Sequence, residues 1–291
     1  MNISLLQLFH AIDPGDRFWI EEIASVGPEE VIEKIEKDSY PVRKRSIGRI
    51  KDRLKRPISE LVKELEDSGG KFISQGESEW PHTLNDLISP PIGLIVRGDL
   101  PKCNSVSIVG TRNPTTYGAR VASDFAAGFV DRSIEVISGG AYGIDTHAHR
   151  GALAAEGRTF AVLASGISIN YPAGNERLFE EIAESGGLIS EVMPKERARP
   201  ERFLTRNRII AALSRCTIVV EAAFRSGSLR TARDAAEMLR YVLAVPGPIS
   251  SPTSDGCHRL IGERCAEIVT SVPDAMEFIS KSPCTLCGDG T

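Results

Sequence analysis

A chain of 291 residues with 41% apolar and 25% charged residues has ample apolar content for the packed core of one large or two modest domains, which excludes a disordered chain. It holds no run of about 18 apolar residues and no cationic leader ahead of an apolar stretch, so neither a membrane span nor a signal peptide is indicated, and a cytoplasmic protein is expected. The formal net charge of −4 excludes a uniformly basic coat but permits a local basic groove, because salt limits each charge's reach to about 10 Å.

Residues 2–66 read as short amphipathic helices. Leu5, Leu6, Leu8, Phe9 and Ile12 recur at helical spacing, Pro14-Gly15 breaks the pattern, and Ile23, Val31, Ile32 and Ile35 continue it. No strand pattern interrupts them, so residues 1–68 are read as a small helical amino-terminal domain. Arg43, Lys44, Arg45, Arg49, Lys51, Arg53, Lys55 and Arg56 crowd into one segment, which reads as a solvated helix face in preference to a DNA contact.

After Gly69-Gly70 the pattern changes. Residues 71–74 and 92–98 look like short strands around the extended Glu79-Trp80-Pro81 and Pro90-Pro91 elements. Apolar, β-branched runs of strand length follow at 106–109, 134–137, 159–163, 187–189, 217–220 and 241–245, with helical stretches at 117–131, 146–156, 175–184 and 228–239 between most of them. This alternation predicts an α/β fold, a doubly wound, Rossmann-like, mostly parallel sheet over residues 69–280.

Residues 281–291 read as a tail. The six cysteines are expected as free thiols, because a chain of this size needs no staples and Cys216 sits in an apolar strand pattern. Cys284-Thr285-Leu286-Cys287 has the spacing of half a zinc site, but no second Cys or His pair matches it, so no metal is expected.

In such a sheet the ligand lies beyond the carboxyl ends of the strands. After the first core strand comes Gly110-Thr111-Arg112: a glycine for close approach, a hydroxyl, and a permanently charged fork for phosphate oxygens. After the second come Ser138, Gly139, Gly140, Ala141, Tyr142 and Gly143, whose small residues leave backbone N–H groups for an anion ahead of the next helix. Arg206-Asn207-Arg208 precede a further buried strand, and Ser226-Gly227-Ser228 lie beyond it at the start of a helix. Gly110, Thr111, Arg112, Ser138, Gly139, Gly140, Gly143, Asn175, Arg206, Asn207, Arg208, Ser226, Gly227 and Ser228 form the expected phosphate-binding set.

A dinucleotide site is disfavoured and no cofactor is expected. Ser138 replaces the first glycine of the fingerprint, and the next strand ends in Leu163-Ala164-Ser165-Gly166 without the acidic residue that grips a ribose. His147 and His149 follow Asp145 closely enough to raise metal or acid–base chemistry, but a helix start with Asp145 as its N-cap is the plainer reading. No nucleophile elbow and no HExxH pair is present, and no catalytic residue is assigned.

Ser107-Ile108-Val109-Gly110-Thr111-Arg112, Ser138-Gly139-Gly140-Ala141-Tyr142-Gly143-Ile144-Asp145 and its continuation through Leu153, Tyr171-Pro172, Arg206-Asn207-Arg208-Ile209-Ile210, Ser226-Gly227-Ser228-Leu229 and Ala244-Val245-Pro246-Gly247 occur in order. The series, over roughly residues 70–272, resembles the DNA-processing protein A family (DprA, also called Smf). The resemblance implies a non-enzymatic single-stranded-DNA-binding protein that protects strands in transformation or recombination, hands them to a RecA-type recombinase, and acts as a homodimer. It also implies phosphate contacts for Arg112, Arg206, Asn207 and Arg208. Ala173 stands where members often carry a lysine, and many members continue into a winged-helix domain, which is not expected within these 291 residues.

Phe203 and Tyr171 are candidates for base stacking or for core packing. The alternative function is a nucleotide sensor or phosphoribohydrolase-like enzyme of the same superfamily, with Glu221 as its one suitable carboxylate; Glu191 and Glu221 otherwise read as carboxylates that bond arginines such as Arg206.

Overall fold

A computed structural model of the chain describes residues 1–281, so Cys284 and Cys287 lie outside the described residues. The amino-terminal part is helical: α1 (Ile3–Ala11), α2 (Arg17–Val26), α3 (Pro28–Glu36), α4 (Lys44–Leu54) and α5 (Ile58–Asp67). Asn2 starts α1 by accepting the Leu5 N–H at 2.9 Å, and Pro28 opens α3 directly after Gly27. Leu8, Ile12, Trp19, Val31, Ile35, Ile47 and Ile50 share one core. The basic segment spends its described charges on the chain's own carboxylates, with Arg53 on Asp13, Lys51 on Asp38, Arg43 on Asp16 and Arg56 on the buried Glu64.

The remainder alternates strand and helix: β1 (Lys71–Ser74), β2 (Gly93–Gly98), β3 (Ser105–Val109), α6 (Thr116–Val130), β4 (Glu135–Ser138), α7 (Ile144–Ala154), β5 (Thr159–Leu163), α8 (Glu176–Ser185), β6 (Gly187–Ser190), α9 (Pro200–Ala212), β7 (Cys216–Val219), α10 (Ser228–Glu237), β8 (Tyr241–Ala244), α11 (Asp255–Gly262), β9 (Glu267–Ile268) and α12 (Val272–Lys281). All strands join one sheet in the order β1-β2-β6-β5-β4-β3-β7-β8-β9. β2 pairs antiparallel with β1 and β6, and every other pairing is parallel.

The predicted core strands lie within about a residue of those observed. The region between residues 200 and 212 departs from expectation: Arg206, Asn207 and Arg208 stand on a 13-residue helix that the sequence reading did not assign, opened by Pro200 at its first position. α11, α12 and the two-residue β9 were likewise unassigned.

Side-chain alternation along the strands builds two layers. Val106 and Ile108 of β3 meet Phe125 and Phe129 of α6 and Ala148 and Ala152 of α7. Val109, Ile137, Phe160 and Val162 pack with Ile209 and Ile210 of α9 and Leu229 and Ala232 of α10. Phe72 and Ile95 share a core with Leu6 and Phe9 of α1, so the helical segment rests directly on the antiparallel edge. The connections after β3 run through β4 to β6 in one direction, and β7 returns to the other side of β3. β3 and β7 stay paired to their ends, but the connections that leave them run to opposite sides of the sheet, and a crevice opens beyond their carboxyl ends.

Candidate nucleic-acid interface at the switch point

A cleft of about 380 Å³ occupies that crevice. Val109 to Arg112 come into it from β3, Ala223 and Arg225 to Ser228 from the β7–α10 loop, and Phe203, Arg206, Asn207 and Ile210 from one face of α9. The spacing 203, 206, 207, 210 is that of a single helix face. A second hollow of about 320 Å³ adjoins it, with Arg112 and Phe203 in both walls and Tyr142, Tyr171 and Pro172 beyond.

Arg112 is exposed and its guanidinium lies 5.0 Å from the centroid of the Phe203 ring. Phe203 in turn meets Tyr171 edge-on, at 5.5 Å and 61°. Tyr171 is 47% and Tyr142 50% exposed, so Phe203 and Tyr171 form an aromatic wall at the surface and not part of the core. Arg112 and Arg225 carry no ion pair among the described residues, which leaves both charges available to an anion.

The loop carrying Arg112 is held from below. Thr111 donates its N–H to the Glu221 carbonyl at 2.7 Å, and a Cβ at Gly110 would press on Ile144 and that same carbonyl. Gly143, at φ +83, lies so close to Thr111 and Arg112 that a Cβ would come within 2.3 Å of the Thr111 carbonyl. Gly110 and Gly143 thus serve backbone packing that aims Arg112.

Several expected phosphate contacts are assigned differently by the structure. Arg206 borders the cleft but is buried: Nη1 donates to the carbonyls of Gly139, at 2.6 Å, and Val162, and Nε to Asn207 Oδ1. Burial, with Arg112 nearby, lowers its pKa to about 10, so it stays charged at neutral pH while it ties together the ends of β4 and β5. Asn207 donates to the Gly227 carbonyl at 3.1 Å and links α9 to the Ser-Gly-Ser turn. Arg208 points to the opposite side of α9, where it pairs with the buried Glu191.

The glycine loop is not an open anion nest. The Gly139 and Ala141 N–H groups donate to Asp145 Oδ2 at 3.1 and 3.4 Å. Asp145 sits in the first turn of α7 behind Gly143, which is the N-cap in its place, and burial raises its carboxyl pKa while Arg206 and the loop N–H groups oppose that. Ser138 is fully buried and donates to the Ile108 carbonyl; Asn175 holds the Gly140 carbonyl and Thr146. Gly140, at φ +67, leaves no space for a Cβ beside Phe179. Ser138, Gly140 and Asn175 shape the loop and line neither hollow, whereas Ala141 and Asp145 border the cleft and Gly139 and Ala141 the hollow beside it.

Ser226, Gly227 and Ser228 do line the cleft, at the amino end of α10. Ser226 Oγ and Ser228 Oγ share a hydrogen bond at 2.7 Å, and the first N–H groups turn back on Ser226 and Gly227, so what this helix end can offer an anion is its hydroxyls and its partial positive charge. The sequence reading missed Arg225, Leu204 and Thr231; the helical period running from Phe203 and the position beside Ser226 were the available signals.

Glu191 and Glu221 follow β6 and β7, which β5, β4 and β3 separate in the sheet. Glu221 takes the Thr115 N–H at 2.9 Å and the Thr115 hydroxyl at 2.6 Å, which corrects the expectation that it bonds an arginine. His149 lies within α7, wholly buried, with Nδ1 at 2.7 Å from Thr159 Oγ1. His147, two residues earlier on the same helix, is half-buried.

Residues 71–280 match the family model described as DNA recombination-mediator protein A. The chain belongs to this family. DNA processing protein DprA of Streptococcus pneumoniae is 41% identical over 199 residues, 68% of this chain and 70% of that protein. A Mycobacterium tuberculosis protein named as a DNA processing protein DprA is 44% identical over 226 residues, 72% of this chain but 58% of the relative, so the chain spans little more than half of that protein. The X-ray structure of the S. pneumoniae DprA superposes with a TM-score of 0.80 at 32% identity, covering 95% of this chain and 98% of that one. The Helicobacter pylori DprA, whose structure concerns its single-stranded DNA binding mode, superposes with a TM-score of 0.65 at 27% identity over 74% of this chain and 98% of its own. The Rossmann-like sheet with a preceding helical region is thus a DprA fold, and among the described residues no helix is long and apolar enough to cross a membrane.

Proposed function

We propose that the chain binds single-stranded DNA along the carboxyl edge of its sheet, with a backbone phosphate between Arg112, Arg225 and the amino end of α10, and with bases against Phe203 and Tyr171. The observation that carries this reading is the exposed, unpaired Arg112 lying over an aromatic ring at the junction of two hollows. The named DNA binding of the H. pylori relative supports it.

Membership of a recombination-mediator family supports the further step, delivery of the strand to a RecA-type recombinase by a cytoplasmic homodimer. Engagement of both Glu221 oxygens by Thr115 supports a binding protein without catalysis over a phosphoribohydrolase. The test is a competition titration of a labelled single strand against unlabelled single strand and duplex. The single strand should win clearly, because a cleft of this width admits a thin flexible backbone. Equal competition by duplex would count against the site, and Glu221-dependent release of free base from a nucleoside monophosphate would restore the enzyme reading.

A further inference from the structure

The β7–α10 connection carries an aromatic residue that the cleft leaves unused: Ala223 and Arg225 line it, and Phe224 between them does not. The Ser226 N–H donates to the Ala223 carbonyl at 2.9 Å and closes a tight turn with Phe224 and Arg225 at its two corners. That turn is fastened on both sides. Ala222 donates to the Thr253 carbonyl and accepts from the Gly256 N–H, each at 2.7 Å, and Asn207 holds the Gly227 carbonyl. A Cβ at Gly256 would come within 2.9 Å of the Ala223 carbonyl, so α11 lies directly against the base of the turn.

Phe224 is 52% exposed, and the Arg259 guanidinium lies over one face of its ring, 4.5 Å from the centroid. Arg259 is itself held by Glu263, through Nε at 2.5 Å, and Glu263 by Arg233. A single exposed phenylalanine needs no explanation. Phe224, however, is pinned by a cation and stands beside Arg225, whose charge has no ion pair among the described residues. An aromatic face and a free cation on consecutive residues match the base and the phosphate of one nucleotide, and holding both in place beforehand reduces the cost of ordering them on binding. One lip of the cleft thus carries Tyr171, Phe203 and Arg112, and the other carries Arg225, Phe224 and Arg259.

We propose that Phe224 is a second base-stacking platform, on the far lip, so that the strand crosses the carboxyl edge of the sheet from Tyr171 and Phe203 to Phe224. The proposal rests on the single-strand reading above and extends it beyond the cleft. Because every base has a π-face, the platform adds affinity without choosing a sequence.

The experiment uses the full chain and a labelled oligo-dT of about 20 nucleotides, read by fluorescence anisotropy. Phe224→Leu keeps apolar bulk but removes the ring, so it should bind roughly tenfold more weakly, and Phe224→Tyr should restore the parental affinity. Stacking releases no counterion, so the salt dependence should be the same in Phe224→Leu as in the parent; a loss caused by displacing Arg225 would make it shallower. With unlabelled strand, the emission that Phe224→Trp adds to that of the buried Trp19 and Trp80 should fall by roughly half at saturation, whereas Ile3→Trp, on the helical segment, should not respond. Parental affinity in Phe224→Leu, a shallower salt dependence, or emission of Phe224→Trp unchanged by a bound strand or quenched no more than that of Ile3→Trp overturns the platform and leaves single-strand binding intact. Emission of Phe224→Trp that changes with protein concentration in the absence of DNA overturns it in favour of a contact between copies of the chain. Failure of the parent to bind any oligonucleotide overturns the single-strand reading, and the platform with it.

Discussion

Arg112 ends in solvent over Phe203, whereas Arg206 is enclosed and holds two main-chain carbonyls. Arg112→Ala should therefore cost roughly 1.5 to 3 kcal/mol of single-strand binding with an unchanged melting temperature. Arg206→Ala should lower the melting temperature, by at least about 2 kcal/mol of stability, because the Gly139 and Val162 carbonyls lose their charged donor. A normal melt for Arg206→Ala would return that arginine to the ligand. His149 gives a second residue-scale prediction. Burial, with the charge of Arg206, brings its pKa down to about 3 from an ordinary 6.5, so the ring stays neutral in the folded chain at a pH where the unfolded chain takes up a proton. Stability should then fall as pH drops below 6.5, by about 1.4 kcal/mol per unit from this group. Burial pushes the Asp145 and Glu191 carboxyls the other way, up, so their share of stability grows as pH falls, and the measured profile is a sum. His149→Gln isolates the histidine: in urea titrations at pH 7.5 and 5 it should lose about 2 kcal/mol less than the parent, and parallel losses would refute the assignment.

The loop that aims Arg112 depends on the start of α6. Thr115 accepts the Gly118 N–H at 3.1 Å and binds Glu221 through both its N–H and its hydroxyl, while the Glu221 carbonyl holds Thr111. Thr115→Val should cost about 1 to 2 kcal/mol of stability, the range for losing a helix cap. A Cβ at Gly118 would sit 2.3 Å from the Glu221 carboxylate, so Gly118→Ala should dislodge Glu221 and weaken DNA binding without touching the ligand. Anisotropy at a temperature where the variant is fully folded checks this, and unchanged affinity would show that Glu221 does not position the loop. The strands and the helices α6, α7, α8 and α10 were legible from apolar periodicity. α9 was not, because its face is written with Phe203, Arg206, Asn207 and Ile210, in which two polar residues occupy buried positions that a hydrophobic pattern passes over.

At the scale of the molecule, a chain of net charge −4 has Arg112 and Arg225 beside its cleft without an ion pair among the described residues. If Arg112 and Arg225 each neutralise one phosphate, the logarithm of affinity should fall with the logarithm of salt concentration by about 0.7 per contact, and Arg225→Ala should reduce the slope by that amount. A slope that does not change in Arg225→Ala would place that arginine outside the strand's path. Amino-acid order alone determined the alternation of elements, the doubly wound class and which loops border the cleft, because those follow from local periodicity and from the rule that strands present their carboxyl ends. Tertiary structure decided which side of each loop faces the ligand. Arg206 and Arg208 are two residues apart, about 200° around α9, so one turns to the switch point and the other to a hollow beside Gly15 only because of how α9 lies on the sheet. Asp145 fills the glycine loop for the same kind of reason: the loop's N–H groups look open in sequence, and the carboxylate that occupies them arrives from the turn of helix that the fold sets beneath them.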